Sequence, residues 1–299
     1  MRRTKKLPVT SSGNTNRKEE VKQPSLKRKE PASETETLSA VLRSSIGSLD
    51  VDKLIKTNSA NKNTYGNTVK VLQNSDSEIT DAALEGNGCN LDGSSGIQNC
   101  QLPNTVVVIQ NKDFHITKAM KFLNVSDALS NKGGVTFVIK GGNLKIDSNL
   151  YYESSQVNRL DKLASVSWIV LKNDSDTNGA TGNILFGDCI SQSIYDTAAQ
   201  AAGIFFAENS IYTGTGKDLR GRAVDGSIID GTDSSTDSCD FSAGALPFQL
   251  NGMMIARKLV FERVYEGDGS EEISYDGRLL VSVPPGLSDV LKKMPTWSP

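Results

Sequence analysis

A chain of 299 residues is long enough for one large domain or two ordinary ones, and its net charge of −2 gives no global reason to expect nucleic acid or an anionic membrane as a partner. With 26 glycines, aromatics at only 6% and abundant Asn, Ser, Thr and Asp, the composition argues against long helices and for many turns joining short strands. No run approaches the roughly eighteen consecutive apolar residues of a membrane-spanning helix, and the basic start has no apolar stretch behind it, so no secretory signal is read in this chain.

Residues 1–56 are expected to form a disordered basic tail. Arg2, Arg3, Lys5, Lys6, Arg17 and Lys18 crowd positive charge into a stretch with almost nothing to bury, so ordering it would cost entropy without an apolar return. Interleaved aromatics, which a single-strand nucleic-acid binder would show, are missing, so nucleic acid is not expected as a partner. Within the tail, Leu38, Val41, Leu42, Ile46, Leu49, Leu54 and Ile55 have rough helical spacing and form a short amphipathic segment. Residues 57–104 return to polar, Gly-rich sequence and are expected as a linker or loop, with Val69, Val71 and Leu72 suggesting one strand.

There are four cysteines, Cys89, Cys100, Cys189 and Cys239, an even count that allows two disulfides and favours an oxidising compartment. Cys89 and Cys100 bracket a Gly-rich loop flexible enough to close. Cys189 and Cys239 either pair through neighbouring segments or are small buried residues. No CxxC or Cys/His cluster is present, so no structural zinc site is expected.

The structured body begins at Thr105-Val-Val-Val-Ile109, a β-branched run that reads as a strand. One helix is predicted over 117–130, where Met120, Phe122, Leu123, Ala128 and Leu129 recur and Gly133-Gly134 supplies a stop. An imperfect internal repeat follows. Val135-Thr-Phe-Val-Ile-Lys140 and Gly142-Asn-Leu-Lys-Ile146 are echoed by Val166-Ser-Trp-Ile-Val-Leu-Lys172 and Gly182-Asn-Ile-Leu-Phe186. Further copies of the second half begin at Gly203 and Gly252.

An apolar group, a small or polar corner and a second apolar group, repeated with insertions, is what one coil of a parallel β-helix requires. The fold class read here is therefore all-β, a single-stranded parallel β-helix (solenoid) over 105–283, with 284–299 as a C-terminal cap or tail. In this reading Leu287, Val290 and Leu291 cover the open end of the last rung. The alternative is a β-sandwich of antiparallel hairpins, since strands bounded by Asn-Gly and Gly-Asn suit hairpins too.

Candidate sites are few. His115 is the sole histidine, which leaves no pair of His ligands and no Ser-His-Asp arrangement without it; a hydrogen-bonded structural residue is expected. Asp174, Asp176 and Asn178 stand at alternate positions before Gly179, as in the first half of a calcium loop, but Leu185 occupies the place of the bidentate glutamate. Calcium is thus the one cofactor the sequence suggests, against a solvated turn as the expectation. Asp230 and Asp233 open an acidic insertion that a carbohydrate-active enzyme could use, although catalytic acids need fixed separation on rigid elements. Tyr151, Tyr152, Tyr195 and Tyr212 could stack on sugars or on one another.

The segments Gly142-Asn-Leu-Lys-Ile-Asp-Ser-Asn-Leu-Tyr151, Ala202-Gly-Ile-Phe-Phe-Ala-Glu-Asn-Ser-Ile-Tyr-Thr-Gly214, Leu250-Asn-Gly-Met-Met-Ile-Ala-Arg257 and Pro284-Pro-Gly-Leu-Ser-Asp-Val-Leu291 resemble β-helical proteins of bacterial cell envelopes, in a rung pattern similar to that of bactofilins and pilus-associated PilX-like domains. The resemblance covers 105–299. It implies a non-enzymatic scaffold, surface-appendage or adhesion role at the cell envelope or outside the cell. The partners it implies are other envelope or pilus proteins, or glycans, with self-association through exposed ends. The N-terminal helix of pilins is not found in this sequence.

Overall fold

The run 105–109 is β-branched, short and apolar throughout, and it forms a strand buried on both faces. A computed structural model describes residues 51–187, 199–214, 248–261 and 271–287. The chain divides into two units, Met1–Glu34 and Thr35–Pro299, and every described residue belongs to the second. The elements in order are α1 (Val51–Ile55), β1 (Thr68–Val71), β2 (Glu78–Thr80), a 3-10 turn (Asp81–Leu84), β3 (Cys89–Leu91), β4 (Gln98–Cys100), β5 (Thr105–Gln110), β6 (Asp113–Ile116), β7 (Met120–Phe122), β8 (Gly134–Lys140), β9 (Leu144–Ile146) and β10 (Leu150–Tyr152). After a second 3-10 turn (Leu160–Lys162) come β11 (Ser165–Leu171), β12 (Ile184–Phe186), β13 (Ala199–Tyr212), β14 (Phe248–Val260), β15 (Glu271–Ser274) and α2 (Arg278–Val281).

The described part is mostly β. Its main sheet is a curled, all-parallel half-barrel of nine strands in the order β1-β5-β8-β11-β13-β12-β9-β6-β2, with β14 and β15 added beside β13. Long β13 makes the curl. Its residues Ile204 to Ala207 pair with β11, whereas Ile211 and Tyr212 pair with β12. A smaller sheet, β10-β7-β4-β3, is parallel except for the antiparallel pair β3 and β4. Parallel neighbours replace the antiparallel hairpins of the sandwich alternative throughout the main sheet.

The repeat aligns residue for residue over its first two copies. Val135 pairs with Val166, Phe137 with Trp168 and Leu144 with Ile184. Gly203 pairs with Gly252, but Ile204 and Phe205 lie beside Ser167 and Trp168. The copies starting at these glycines therefore continue the first half of the repeat and only later, near Ile211, the second. Stacking side chains of one kind produces ladders. Asn143 Nδ2 donates to Asp113, Asn183 Nδ2 to Asn143 and Asn209 Nδ2 to Asn183, at 3.2, 3.0 and 2.9 Å. The interior holds aliphatic residues such as Ile109, Ile139 and Val170 and an aromatic column in which the Phe137 and Trp168 rings stack at 4.3 Å and Trp168 and Phe205 at 6.2 Å.

Strands buried on both faces need a cover on the outside as well. Val69, Val106, Val108, Val138, Ile169 and Ile204 form a second apolar cluster with Leu54 of α1 and with Leu279 and Leu287. The Thr136 hydroxyl donates to the Pro285 carbonyl at 2.7 Å, and the Ser165 hydroxyl donates to that of Ser282. The chain from 279 to 287 thus straps the flank of β8 and β11. Leu287 is buried there and does not cover the last rung; Val290 and Leu291 lie outside the described residues.

Two further expectations differ from the structure. The predicted helix over 117–130 contains β7, because Met120 and Phe122 point inward at strand spacing with Lys121 between them. Residues 57–104, expected as linker or loop, carry β1 to β4, and Cys89 and Cys100 are joined in a disulfide across the β3–β4 pair. Cys189, Cys239 and residues 1–50 of the expected tail lie outside the described residues. Among the described residues no helix is long and apolar enough to cross a membrane.

Candidate functional site

Two groupings of polar side chains stand out. The first is a charged cluster on the outer side of β2, β6 and β9. Inward Ile79, Phe114 and Leu144 alternate with outward Glu78, Asp113, His115 and Lys145, so the pleat alone gathers the charges. His115 Nδ1 lies 3.0 Å from Glu78 and Nε2 2.6 Å from Asp147. Lys145 Nζ lies 2.7 Å from Glu78 and 2.9 Å from Asp113.

Burial by itself pulls the His115 pKa down, but hydrogen bonds and charge from Asp147 and Glu78 outweigh it, and the imidazole sits above its ordinary value. For Glu78, burial works upward and is outweighed by the bonds from Lys145 and His115, so its carboxyl lies below the ordinary value. Lys145 is raised in the same way by Glu78 and Asp113 against its burial. With a carboxylate 3.0 Å from Nδ1 and another 2.6 Å from Nε2, the surroundings of His115 favour the protonated ring. The cluster is an electrostatic clamp across three strands.

The second grouping is an open cleft of about 340 Å³ lined by Leu150, Tyr151 and Tyr152 of β10, Gln200 and Ala202 of β13, Asn251 of β14, and Tyr275, Asp276 and Arg278. Its origin is a step in side-chain size: Ala202 pairs with Asn251, which pairs with Ser274, leaving a hollow between the β10 tyrosines and Tyr275. The Tyr275 ring is 54% exposed. The Arg278 guanidinium lies 4.8 Å over the Tyr152 ring and its Nε 3.9 Å from Asp276. The Asp276 carboxylate accepts the Arg278 backbone N–H at 2.9 Å. Burial first, and then the charge of Asp276, raises the Tyr275 pKa, so the phenol is neutral and a donor at ordinary pH.

The calcium-like triplet lies in the turn between β11 and β12. Asp176 Oδ1 accepts the backbone N–H groups of Asn178 and Gly179, and Oδ2 accepts both the backbone N–H and the hydroxyl of Thr181, at 2.6 to 3.0 Å. Those bonds, the Thr181 hydroxyl foremost, push its pKa well down. Asp174 instead borders a separate hollow of about 250 Å³ shared with Lys140 and Lys172. Among the described residues no group of three or more His, Cys, Asp or Glu is placed to hold a metal ion. Asp230, Asp233 and Tyr195 lie outside the described residues. Of the tyrosines expected to meet sugars, Tyr151 and Tyr152 line the cleft.

Sequence reasoning missed Gln200, Asn251, Tyr275, Asp276 and Arg278, which come from three distant segments with no shared motif. Comparison with protein-family models, curated proteins and solved structures returns no match.

Proposed function

We propose that the chain is a parallel β-helix that serves as a non-enzymatic adhesion or scaffold module of the cell envelope. The observation that carries this reading is the in-register parallel stack β5-β8-β11-β13-β14, braced by the ladder Asp113–Asn143–Asn183–Asn209. Like side chains on successive strands, with Asp113 and Asn143 separated by 30 residues and Thr136 and Ser167 by 31, support a reading of coils laid on one another. The three sides of a coil would be the β5 series, the β6 series and the β7 series, with corners at the asparagines.

Magnitude favours adhesion over a long rod. Among the described residues, seven strands in series, β1 to β15 by way of β5, β8, β11, β13 and β14, spaced about 4.8 Å apart, give a stack roughly 29 Å high. A single stack of that height is a stiff block that presents loops and a cleft; it becomes a rod only by joining other copies. The envelope setting rests on the resemblance of 105–299 to envelope β-helical proteins.

The test is to tag the chain in its own cell, fractionate the cell, and compare surface attachment of cells with and without the gene. Envelope recovery with reduced attachment on deletion is expected. Recovery in the cytosol, or attachment unchanged by deletion, would rule the adhesion reading out.

A further inference from the structure

We propose that the cleft between β10, β13, β14 and residues 275–278 binds a neutral saccharide, with a pyranose ring laid on Tyr275 and its hydroxyls read by Gln200, Asn251 and Asp276; this rests on the adhesion reading above and names its ligand class. Three observations converge. The first is an aromatic residue, Tyr275, 54% exposed at the rim of a hollow, where its apolar body and polar hydroxyl are open to a ligand.

The second is the chemistry of the walls. Side-chain amides offer both donors and acceptors, and a carboxylate offers acceptors, which is the mixture that reads vicinal hydroxyl groups. The third is the charge balance. Among the described residues Arg278 is the sole cation of the lining, and it already faces the Tyr152 ring and Asp276. Among the described residues no second cation lines the cleft to meet a phosphate or an acidic sugar, and a nucleic acid would need several. The strand edge is also in the wrong place for a peptide strand, because β14 is paired on both sides at Asn251.

The positions are rigidly set. Asn251 sits within the fully paired part of β14, and Gln200 is held through its backbone N–H, which donates to Asn149 Oδ1 at 2.8 Å. Asp276 and Arg278 are tied into the start of α2. A preformed cleft of this kind loses little entropy on binding, which matters for weak, hydroxyl-reading contacts.

The experiment is calorimetric titration of the full chain with chitin, mannan and β-glucan oligosaccharides, with hyaluronan oligosaccharides and a random peptide pool as contrasting arms. Binding of at least one neutral oligosaccharide is expected, weakened about tenfold or more in Tyr275→Ala and severalfold in Asn251→Ala. Tyr65→Ala, which removes an exposed tyrosine outside the cleft, should leave affinity unchanged, and the melting temperatures of the variants should match the parent. No binding by any neutral oligosaccharide, binding indifferent to Tyr275→Ala, or preference for hyaluronan or peptide would overturn the proposal. Failure here with envelope recovery intact would remove the ligand and leave the adhesion module standing, whereas saccharide binding by a cytosolic protein would do the reverse.

Discussion

His115 and Asp147 illustrate how one pair can tie a local structure to pH. Both are nearly fully buried, and His115 Nε2 lies 2.6 Å from Asp147 Oδ2. A histidine whose folded pKa is raised contributes stability that is whole below its unfolded value of about 6.5 and is lost as pH climbs through the folded value. Glu78 works from the other side: its lowered pKa contributes stability above about 4.5 that is lost as pH falls. The melting temperature should therefore be highest between about pH 5 and 6.5 and decline on the alkaline side, a slope that a pH series would display. His115→Gln should flatten that decline while lowering stability by about 3 kcal/mol, because a buried carboxylate loses its counter-charge. A wild-type curve that rises from pH 6 to 8 would contradict the assignment. At Gly252 the constraint is steric. A Cβ there would come within 1.8 Å of the Gly203 carbonyl oxygen on the adjacent strand, so Gly252→Ala should cost about 2 kcal/mol or more in chemical denaturation.

At the level of elements, the strap formed by residues 279–287 carries more than its length suggests. Leu279 and Leu287 cover the outer apolar column of β5, β8, β11 and β13, and carbonyls of Ser282 and Pro285 receive the hydroxyls of Ser165 and Thr136. Deleting residues 283–299 should expose Val106, Val138 and Ile169, raise binding of a hydrophobic dye and promote aggregation; a truncated chain that stays monomeric with unchanged dye binding would show that the strap is dispensable. The strap was not legible as such, since Pro284-Pro285 announces the end of strand structure but not which surface the following residues meet. The repeat was legible because stacking is unforgiving: a slip of one residue would turn every side chain of β11 to the opposite face, so Val135 and Val166 had to agree in pattern as well as in place. β7 was misread because Met120 and Leu123 fall at a helical interval, while the partners of Met120 are Gln98 and Leu150 in distant segments. The strands of 57–104 were hidden by brevity: β2, β3 and β4 have three residues each, too few for alternation to register.

For the stack as a whole, the edge of consequence is the part of β14 that β15 leaves unpaired. Among the described residues, β14 pairs with β13 along its length but with β15 only from Phe248 to Asn251. The edge from Gly252 to Val260 is thus a template for another strand. Leu259 and Phe261 beside it are 41% and 50% exposed, and Ile273 on β15 is 47% exposed. Apolar surface of this kind draws copies together, whereas Arg257 and Lys258 on the same edge are exposed and repel a like edge. Which wins depends on screening. At 0.15 M salt the Debye length is about 8 Å and facing cations still feel each other; at 1 M it is about 3 Å and they do not, while the apolar attraction is unweakened. Self-association measured by sedimentation should therefore grow with sodium chloride. Arg257→Ser with Lys258→Ser should reach at low salt the association that the parent shows only at high salt, and Leu259→Lys with Phe261→Lys should abolish it in both. Association that stays flat or falls with salt would mean that this edge is not where copies meet, and a rod built by joining stacks would lose its most accessible joint.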